Sequence, residues 1–357
     1  MARTRSRRVT QADIAKHAGV STAVVSLVLN GIANGKVRIS DATQQRVRNS
    51  MQELGYVPNT AARQLARGRT NVIGVFTYEA IFPIDASNFY QPFLVGIEEA
   101  ATQLDFNLLL LTGGLRDGKR SIYQNGSNQL LAAEGAVLLG TNEDRAEIKR
   151  LWESGYPFVF VGRREIDGHN IPSSAADYAG ASEHLVNQLI TAGHRTFALP
   201  NTGSVNESAA DRYRGVEAAF AEHPDIVRYE PKLLNEHLTI EWLAEQLDNG
   251  VTAVVCATTP AAARVLDAAR ALGVSVPDQL SVASLGNADS PQIYPDGLTT
   301  YIIPHREMGA KALELLAAML AQEELPQFPI TIPCTFVPGS TIAPPPAVPA
   351  TRKKGAS

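Results

Sequence analysis

Apolar positions change their period along the chain, and the change divides it. Between Thr10 and Gly55 they recur at helical spacing. Ile14, Ala15 and Ala18 share one face, and Val24, Val25, Val28 and Leu29 share another. Thr10-Gln11-Ala12-Asp13 has the layout of a capping box, with Asp in the place of Glu or Gln. Gly19 stops that first helix, and Ser21 caps a second that ends at Asn30-Gly31. Two short helices across a tight Gly-Val turn predict a helix-turn-helix. A third helix is predicted over Asp41 to Leu54, capped by Ser40 and closed by Gly55. Tyr56-Val57-Pro58-Asn59 then breaks the chain. Asn59 can cap an Ala-rich run, Thr60 to Arg67, which is too short to hold as an isolated helix.

From Asn71 short continuous apolar runs alternate with amphipathic ones. Strands are predicted at Val72–Phe76, Asn107–Leu111, Ala136–Leu139, Phe158–Val161, Thr196–Leu199, Ala253–Cys256 and Ser281–Leu285. Helices are predicted at Gln91–Leu104, Tyr178–Ala192, Asp211–Ala221 and Ala261–Leu272. This alternation predicts parallel, doubly wound sheets buried on both faces. A stretch of this length suits two lobes, with a ligand in the crevice outside the strand carboxyl ends. The expected organisation is a helix-turn-helix head over 1–58, a hinge helix and linker over 59–70, an α/β core over 71–340 and a disordered tail over 341–357. That tail holds Pro344-Pro345-Pro346 and Arg352-Lys353-Lys354 and no apolar heptads, so a dimer is expected and a tetramerising coiled coil is not.

Composition adds little until charge is located. The 357 residues are 45% hydrophobic and 19% charged, as in ordinary soluble proteins. There is no signal-like or membrane-spanning apolar run, and Cys256 and Cys334 lack metal or redox spacing, so a reducing cytoplasm is expected. Residues 1–70, however, hold 12 Lys and Arg against three Asp and Glu, leaving the head nine charges positive and the remainder thirteen negative. A basic head on an acidic body suits a module that binds a polyanion.

Catalytic patterns fare worse. Gly113 to Arg120 has P-loop spacing, but Arg120 stands where a Ser or Thr must hold magnesium, so a solvated loop is expected. HExxH, GxSxG and dinucleotide GxGxxG patterns are missing, and the seven His residues form no metal spacing. His305 is expected to be structural. No catalytic residue, metal or cofactor is expected.

The runs VTQADIAKHAGVSTAVVSLVLNG, RISDATQQRV and LGYVPNTAARQLARGRTNVIGVF together resemble the head and hinge of the lactose/galactose repressor (LacI/GalR) family of bacterial transcriptional regulators. The resemblance implies that the second helix lies in a DNA major groove. Thr22, Ala23 and Leu27 would then face bases, and Thr10, Ser21, Ser26 and Asn30 phosphates. Arg38, Tyr56, Asn59, Ala62 and Leu65 complete the implied DNA-binding set. Leu65 either packs on the core or, as the head before it favours, wedges between bases of the minor groove beside Ala62 and kinks the duplex. Leu27 departs from the Arg of many members, which would read guanine, and the Gly31–Ile39 loop is long.

The core resembles the same family at Phe89-Tyr90, Gly96 to Ala100, Asp177, His184-Leu185, Ala192 to Arg195, Arg212 with Gly215, and Leu298-Thr299-Thr300. It implies a periplasmic-binding-protein-like core whose lobes are joined by three crossovers, forming a homodimer on a pseudo-palindromic operator. The implied effector site holds Phe89, Tyr90, Arg163, Arg212, Thr258 and Asn287. Arg212 either binds the effector, a sugar or related small molecule, or joins an interlobe ion pair. Thr258-Thr259, Gly286 and Gly162 replace polar residues of the family pattern, which points to a less polar, reshaped or anionic ligand. The alternative function is a small-molecule binding protein or sugar-related enzyme without specific DNA binding.

Overall fold

The computed structural model describes residues 9–29, 39–56, 70–80, 89–112, 115–116, 119–200, 206–230, 237–286 and 297–346. The chain divides into two compact units, Met1–Thr70 and Asn71–Ser357. In the first, α1 (Gln11–Ala18), α2 (Thr22–Leu29) and α3 (Asp41–Glu53) enclose a small core of Ile14, Ala15, Ala18, Val25 and Val47. Their ends follow local chemistry. Thr10 and Asp13 form both halves of a capping box, and Gly19 at φ 66° terminates α1. The Ser21 hydroxyl accepts from the Val24 N–H at 3.3 Å, and α3 is capped by Ser40. Val24 lies outside the core cluster, half-buried, so the inward face of α2 is narrower than its four apolar residues suggested.

The second unit is an α/β structure of two lobes. In lobe one, β1 (Val72–Thr77), β2 (Asn107–Leu111), β3 (Gly135–Leu139), β4 (Phe158–Val161), β5 (Ser173–Ala176) and a late strand, Ile330–Ile332, form one parallel sheet. The order runs from Ile330–Ile332 through β5, β4, β3 and β1 to β2. Helices α4 (Gln91–Gln103), α5 (Arg145–Glu153) and a late helix, His305–Ala321, belong to this lobe. Lobe two holds α6 (Tyr178–Ala192), β6 (Thr196–Ala198), α7 (Glu207–Ala221), β7 (Val227–Tyr229), α8 (Ile240–Asp248), β8 (Ala253–Cys256), α9 (Thr259–Leu272) and β9 (Ser281–Ser284). Its sheet is parallel in the order β7-β6-β8-β9. The remaining elements are β10 (Thr300–Ile302), α10 (His305–Ala321), β11 (Ile330–Ile332) and β12 (Thr335–Val337), with β10 and β12 paired antiparallel.

The chain therefore crosses between lobes three times: at Asp177, between Ile302 and His305, and between Ile332 and Thr335. Every residue of β3, β4, β8 and β9 is buried, which is why these strands read as continuous apolar or small runs. Strand β2 is different. It sits at the sheet edge and leaves Leu108 and Leu110 exposed.

Two expectations are corrected by packing. Residues 341–346, expected as the start of a disordered tail, are held on lobe two. The Thr341 carbonyl accepts from Val282 N–H at 2.9 Å, and Ala343 N–H donates to Ser281 Oγ at 3.1 Å. Ile342 packs against the core, so buried partners supply what the Pro-rich sequence lacks on its own. In the P-loop-like segment, expected as a solvated loop, Leu115–Arg116 pairs antiparallel with Lys119–Arg120, and a second short antiparallel pair, Tyr123–Gln124 with Ser127–Asn128, follows.

Candidate functional site

In the head, α1 and α2 meet at 107°, the angle range of a helix-turn-helix pair. Burying Val25, Val28 and Leu29 turns the opposite side of α2 outward. Ser21, Thr22 and Ala23 are exposed, and Ser26 and Leu27 half-buried beside them. The five residues expected to meet DNA thus share one face. Thr10, expected near a phosphate, spends its hydroxyl on Asp13 at 2.7 Å. Tyr56 is half-buried against the head's core, its N–H bonded to Met51 O at 2.9 Å. Asn30, Arg38, Asn59, Ala62 and Leu65, and Asn287 of the core, lie outside the described residues.

In lobe two a cavity of about 520 Å³ opens at the carboxyl ends of β6, β8 and β9. Its wall is mixed: Leu199, Pro200, Val216, Val255, Ala257 and Leu285 are apolar, and Asn206, Ser208, Tyr213 and Glu230 are polar or charged. Arg212 and Thr258 line it. Arg212 comes from α7, which begins at Asn206, whose side chain accepts from Ala209 N–H at 3.0 Å. Its Nε donates to Leu285 O and its Nη1 to Ser208 O, both at 3.2 Å. The guanidinium lies 3.9 Å above the Tyr178 ring. Among the described residues no carboxylate pairs with it. A Cβ at Gly286 would stand 2.9 Å from Nη2, so the glycine makes room for this placement. Thr258 caps α9, its hydroxyl accepting from Ala261 N–H at 3.4 Å.

The expected ligand groups of lobe one are already engaged, within that lobe or across to lobe two. Arg163 binds both oxygens of Asp211, at 3.0 and 2.8 Å, and also Glu165, so it is not a counter-charge waiting for an effector. Tyr90 is buried, and its phenol donates to Glu79; burial first, and that bond second, hold it protonated. Phe89 is exposed and packs edge-on against Tyr90, Phe93 and His305. Neither aromatic lines the cavity, because the Glu79 carboxylate anchors Tyr90 in lobe one. His305 is buried at the start of α10, 4.5 Å from the Phe93 ring, in a structural position.

Several residues of this region were not foreseen. Glu79 also accepts from Thr141 and Asn142 N–H groups, at 2.9 and 2.8 Å. Arg164 reaches Gly140 O at 2.6 Å and Glu143 at 2.8 Å. Asn206 followed by Glu207 is a legible helix start, placing α7 four residues ahead of the expected Asp211.

Residues 10–59 match the model described as bacterial regulatory proteins, lacI family, and residues 186–342 match that of the periplasmic binding protein-like domain. The chain thus carries a lacI-family helix-turn-helix domain and a periplasmic-binding-protein-like domain. It is a DNA-binding transcriptional regulator. Catabolite control protein A of Priestia megaterium is 28% identical over 334 residues, covering 91% of this chain and 96% of its own length. The HTH-type transcriptional regulator RegA of Clostridium saccharobutylicum is 29% identical over 321 residues, covering 88% and 93%. These relatives are regulators, not enzymes. Among solved structures, the lac repressor dimer bound to operator and the anti-inducer ONPF superposes with a TM-score of 0.68 at 23% identity, covering 94% of this chain and all of that one. The transcriptional regulator CelR–cellobiose complex does so at 0.58, also at 23% identity and with the same coverage. Both confirm the lacI-family fold of a helical head and a two-lobed α/β core.

Proposed function

We propose that this chain is a homodimeric repressor, acting in the cytoplasm, whose operator affinity is set by a sugar or sugar derivative bound between its lobes. The observation that carries this reading is the outward face of α2, where Ser21, Thr22, Ala23, Ser26 and Leu27 lie together on a family-matched head. The net positive charge of residues 1–70, nine in all, supplies sequence-independent attraction to phosphate. Ala23 and Leu27 offer apolar contacts suited to a thymine methyl. Residues 59–70 act as the hinge, with Leu65 as the minor-groove wedge beside Ala62. Arg38, Tyr56 and Asn59 complete the contact set.

The effector occupies the lobe-two cavity, with Arg212 and Thr258 as polar contacts on a wall that also carries Asn206, Ser208, Tyr213 and Glu230. Asn287 joins that set through the family resemblance. With Arg163 already paired, Arg212 is the counter-charge for an acidic sugar derivative. CelR, in its solved complex, holds cellobiose. Dimerisation is supported by the exposed Leu108 and Leu110 of edge strand β2, with Val95 and Leu104 at the adjoining α4, which a second copy would cover. The solved lac repressor is likewise a dimer on its operator.

The test is selection of duplexes from a randomised pool by the full chain at low salt. The expected yield is a pseudo-palindrome whose half-sites repeat with the dimer's symmetry. Retention of no duplex would favour a small-molecule binding protein or sugar-related enzyme instead. On the selected operator, Leu65→Ala should lower affinity and remove the bend seen by gel phasing. An unchanged bend rules out the wedge.

A further inference from the structure

The arginines of lobe one and the acids of α7 form an ion cluster between the two lobes. Arg163 and Arg164 follow β4, and Arg145 opens α5, all in lobe one. Glu207 and Asp211 lie in the first turns of α7, whose Val216, Ala219 and Phe220 are built into lobe two. Arg163 grips Asp211 through two aligned hydrogen bonds, with side chains only 13% and 7% exposed. Glu207 sits 2.7 Å from Arg145 Nη2 and 3.6 Å from Arg164 Nη1, without hydrogen-bond alignment. Its position as the first residue of α7 also favours a carboxylate, because the helix's free N–H groups are there. Glu143 holds Arg164 from behind at 2.8 Å, and Arg214 adds to Asp211 at 3.0 Å.

The side chains of Arg163, Arg164, Glu207 and Asp211 are too buried to separate into water unless the lobes part, and each of these charges left without its partner would be strongly unfavourable. The cluster also touches the proposed ligand. Asp211 is followed directly by Arg212, and Ser208 stands one turn earlier; both of these line the cavity. Helix α7 therefore shows one face to the cavity and another edge to lobe one. A ligand that moves this helix must strain or relieve the ion pairs.

We propose that Arg163–Asp211, backed by Arg145 and Arg164 on Glu207, is a clasp that holds the lobes closed in the free protein. Its separation is then the step through which cavity occupancy changes the interlobe angle. The second statement rests on the effector reading given above; the first does not.

The experiment measures an interlobe distance by pulsed electron resonance in the full chain, without DNA or ligand. Spin labels are placed through Glu153→Cys on α5 and Glu245→Cys on α8, both exposed. The native thiols compete poorly. Burial pushes Cys256 up to about 12 and Cys334 up to about 11. The unmodified clasp should give one short distance. Asp211→Asn should raise a longer-distance population by roughly tenfold, in line with coupling energies of buried neighbours. Glu207→Gln should act in the same direction with smaller amplitude. Arg163→Asp combined with Asp211→Arg should restore the short distance that Arg163→Asp alone loses. The clasp is overturned if both isosteric amides leave the distribution unchanged, or if the folded exchange variant stays as open as Arg163→Asp. Should the exchange variant not fold, the two amide variants decide by themselves. A chain that opens as expected yet retains no duplex keeps the clasp and loses the repressor reading.

Discussion

The two lobes share a parallel sheet wound the same way, but they finish their strand ends differently. In lobe one, Glu79, Tyr90, Arg120, Arg163 and Arg164 fill the crevice by bonding to one another, to Thr77, Gly140 and Glu143, and to Asp211 across the cleft. In lobe two, Leu199, Ala257 and Leu285 have no polar groups to pair, and a cavity of about 520 Å³ remains, with Arg212 on its wall. Polar strand ends can close a crevice by mutual pairing. Apolar strand ends leave space, here walled also by Arg212, Glu230 and Asn206, for something else to meet.

Substituting the same residue type in each lobe tests this contrast. Arg164→Met should have the largest effect, about 3–5 kcal/mol lost in urea unfolding, because it leaves the buried carboxylates of Glu143 and Glu207 facing too little charge. A loss below about 1 kcal/mol would mean that lobe one's crevice is not held by these pairs. Gly215→Ala comes next. Its Cβ would lie 2.0 Å from Ala179 O, so α6 and α7 must separate, at a cost of about 1–3 kcal/mol and a lower melting temperature. Arg212→Met should be milder, about 1 kcal/mol or less, since it removes a stacking contact and two backbone bonds but strands no buried carboxylate. A large loss there would erase the contrast between the lobes.

The smallest effect concerns lobe two's C-terminal strap. His194 is buried between Thr252, Ser281 and Ala343, at 2.8, 3.0 and 2.9 Å. Burial lowers its pKa below the usual 6.5, against the opposing pull of the Ala343 carbonyl. The unfolded ring takes up its proton first as pH falls, so this stability is complete above 6.5 and is lost progressively below it. Urea midpoints at about pH 7.5 and about pH 5.5 should differ more in the parent chain than in His194→Gln. Equal differences would show that the ring does not anchor the strap.

Legibility in the sequence followed the range of the forces involved. The capping box at Thr10 and Asp13, the stop at Gly19 and the cap at Ser40 act within four residues, and the head's helices lie where these residues place them. Strand Phe158–Val161, strand Ala253–Cys256 and helix Tyr178–Ala192 appear with the expected bounds, because burial on both faces or on one stripe writes itself into composition. Strand β5, Ser-Ser-Ala-Ala, escaped notice because small residues carry little apolar signal, and it is a strand only between its neighbours β4 and β11. Arg212 and Thr258 were legible as cavity residues through the family pattern. Nothing local distinguished Arg163 from Arg212.

The sequence by itself determined the helix-turn-helix, the family, the basic head and the alternation that makes an α/β core. Only the tertiary structure decided which arginine is spent and which is left. Arg163 and Asp211 are separated by 48 positions and meet only when the lobes come together. It also decided that residues 341–346 are ordered, since Ser281 and His194 reach them across a long stretch of chain. Caps and periodicity are properties of neighbours along the chain, whereas charge pairing is a property of neighbours in space, and the second exists only once the fold has brought them together.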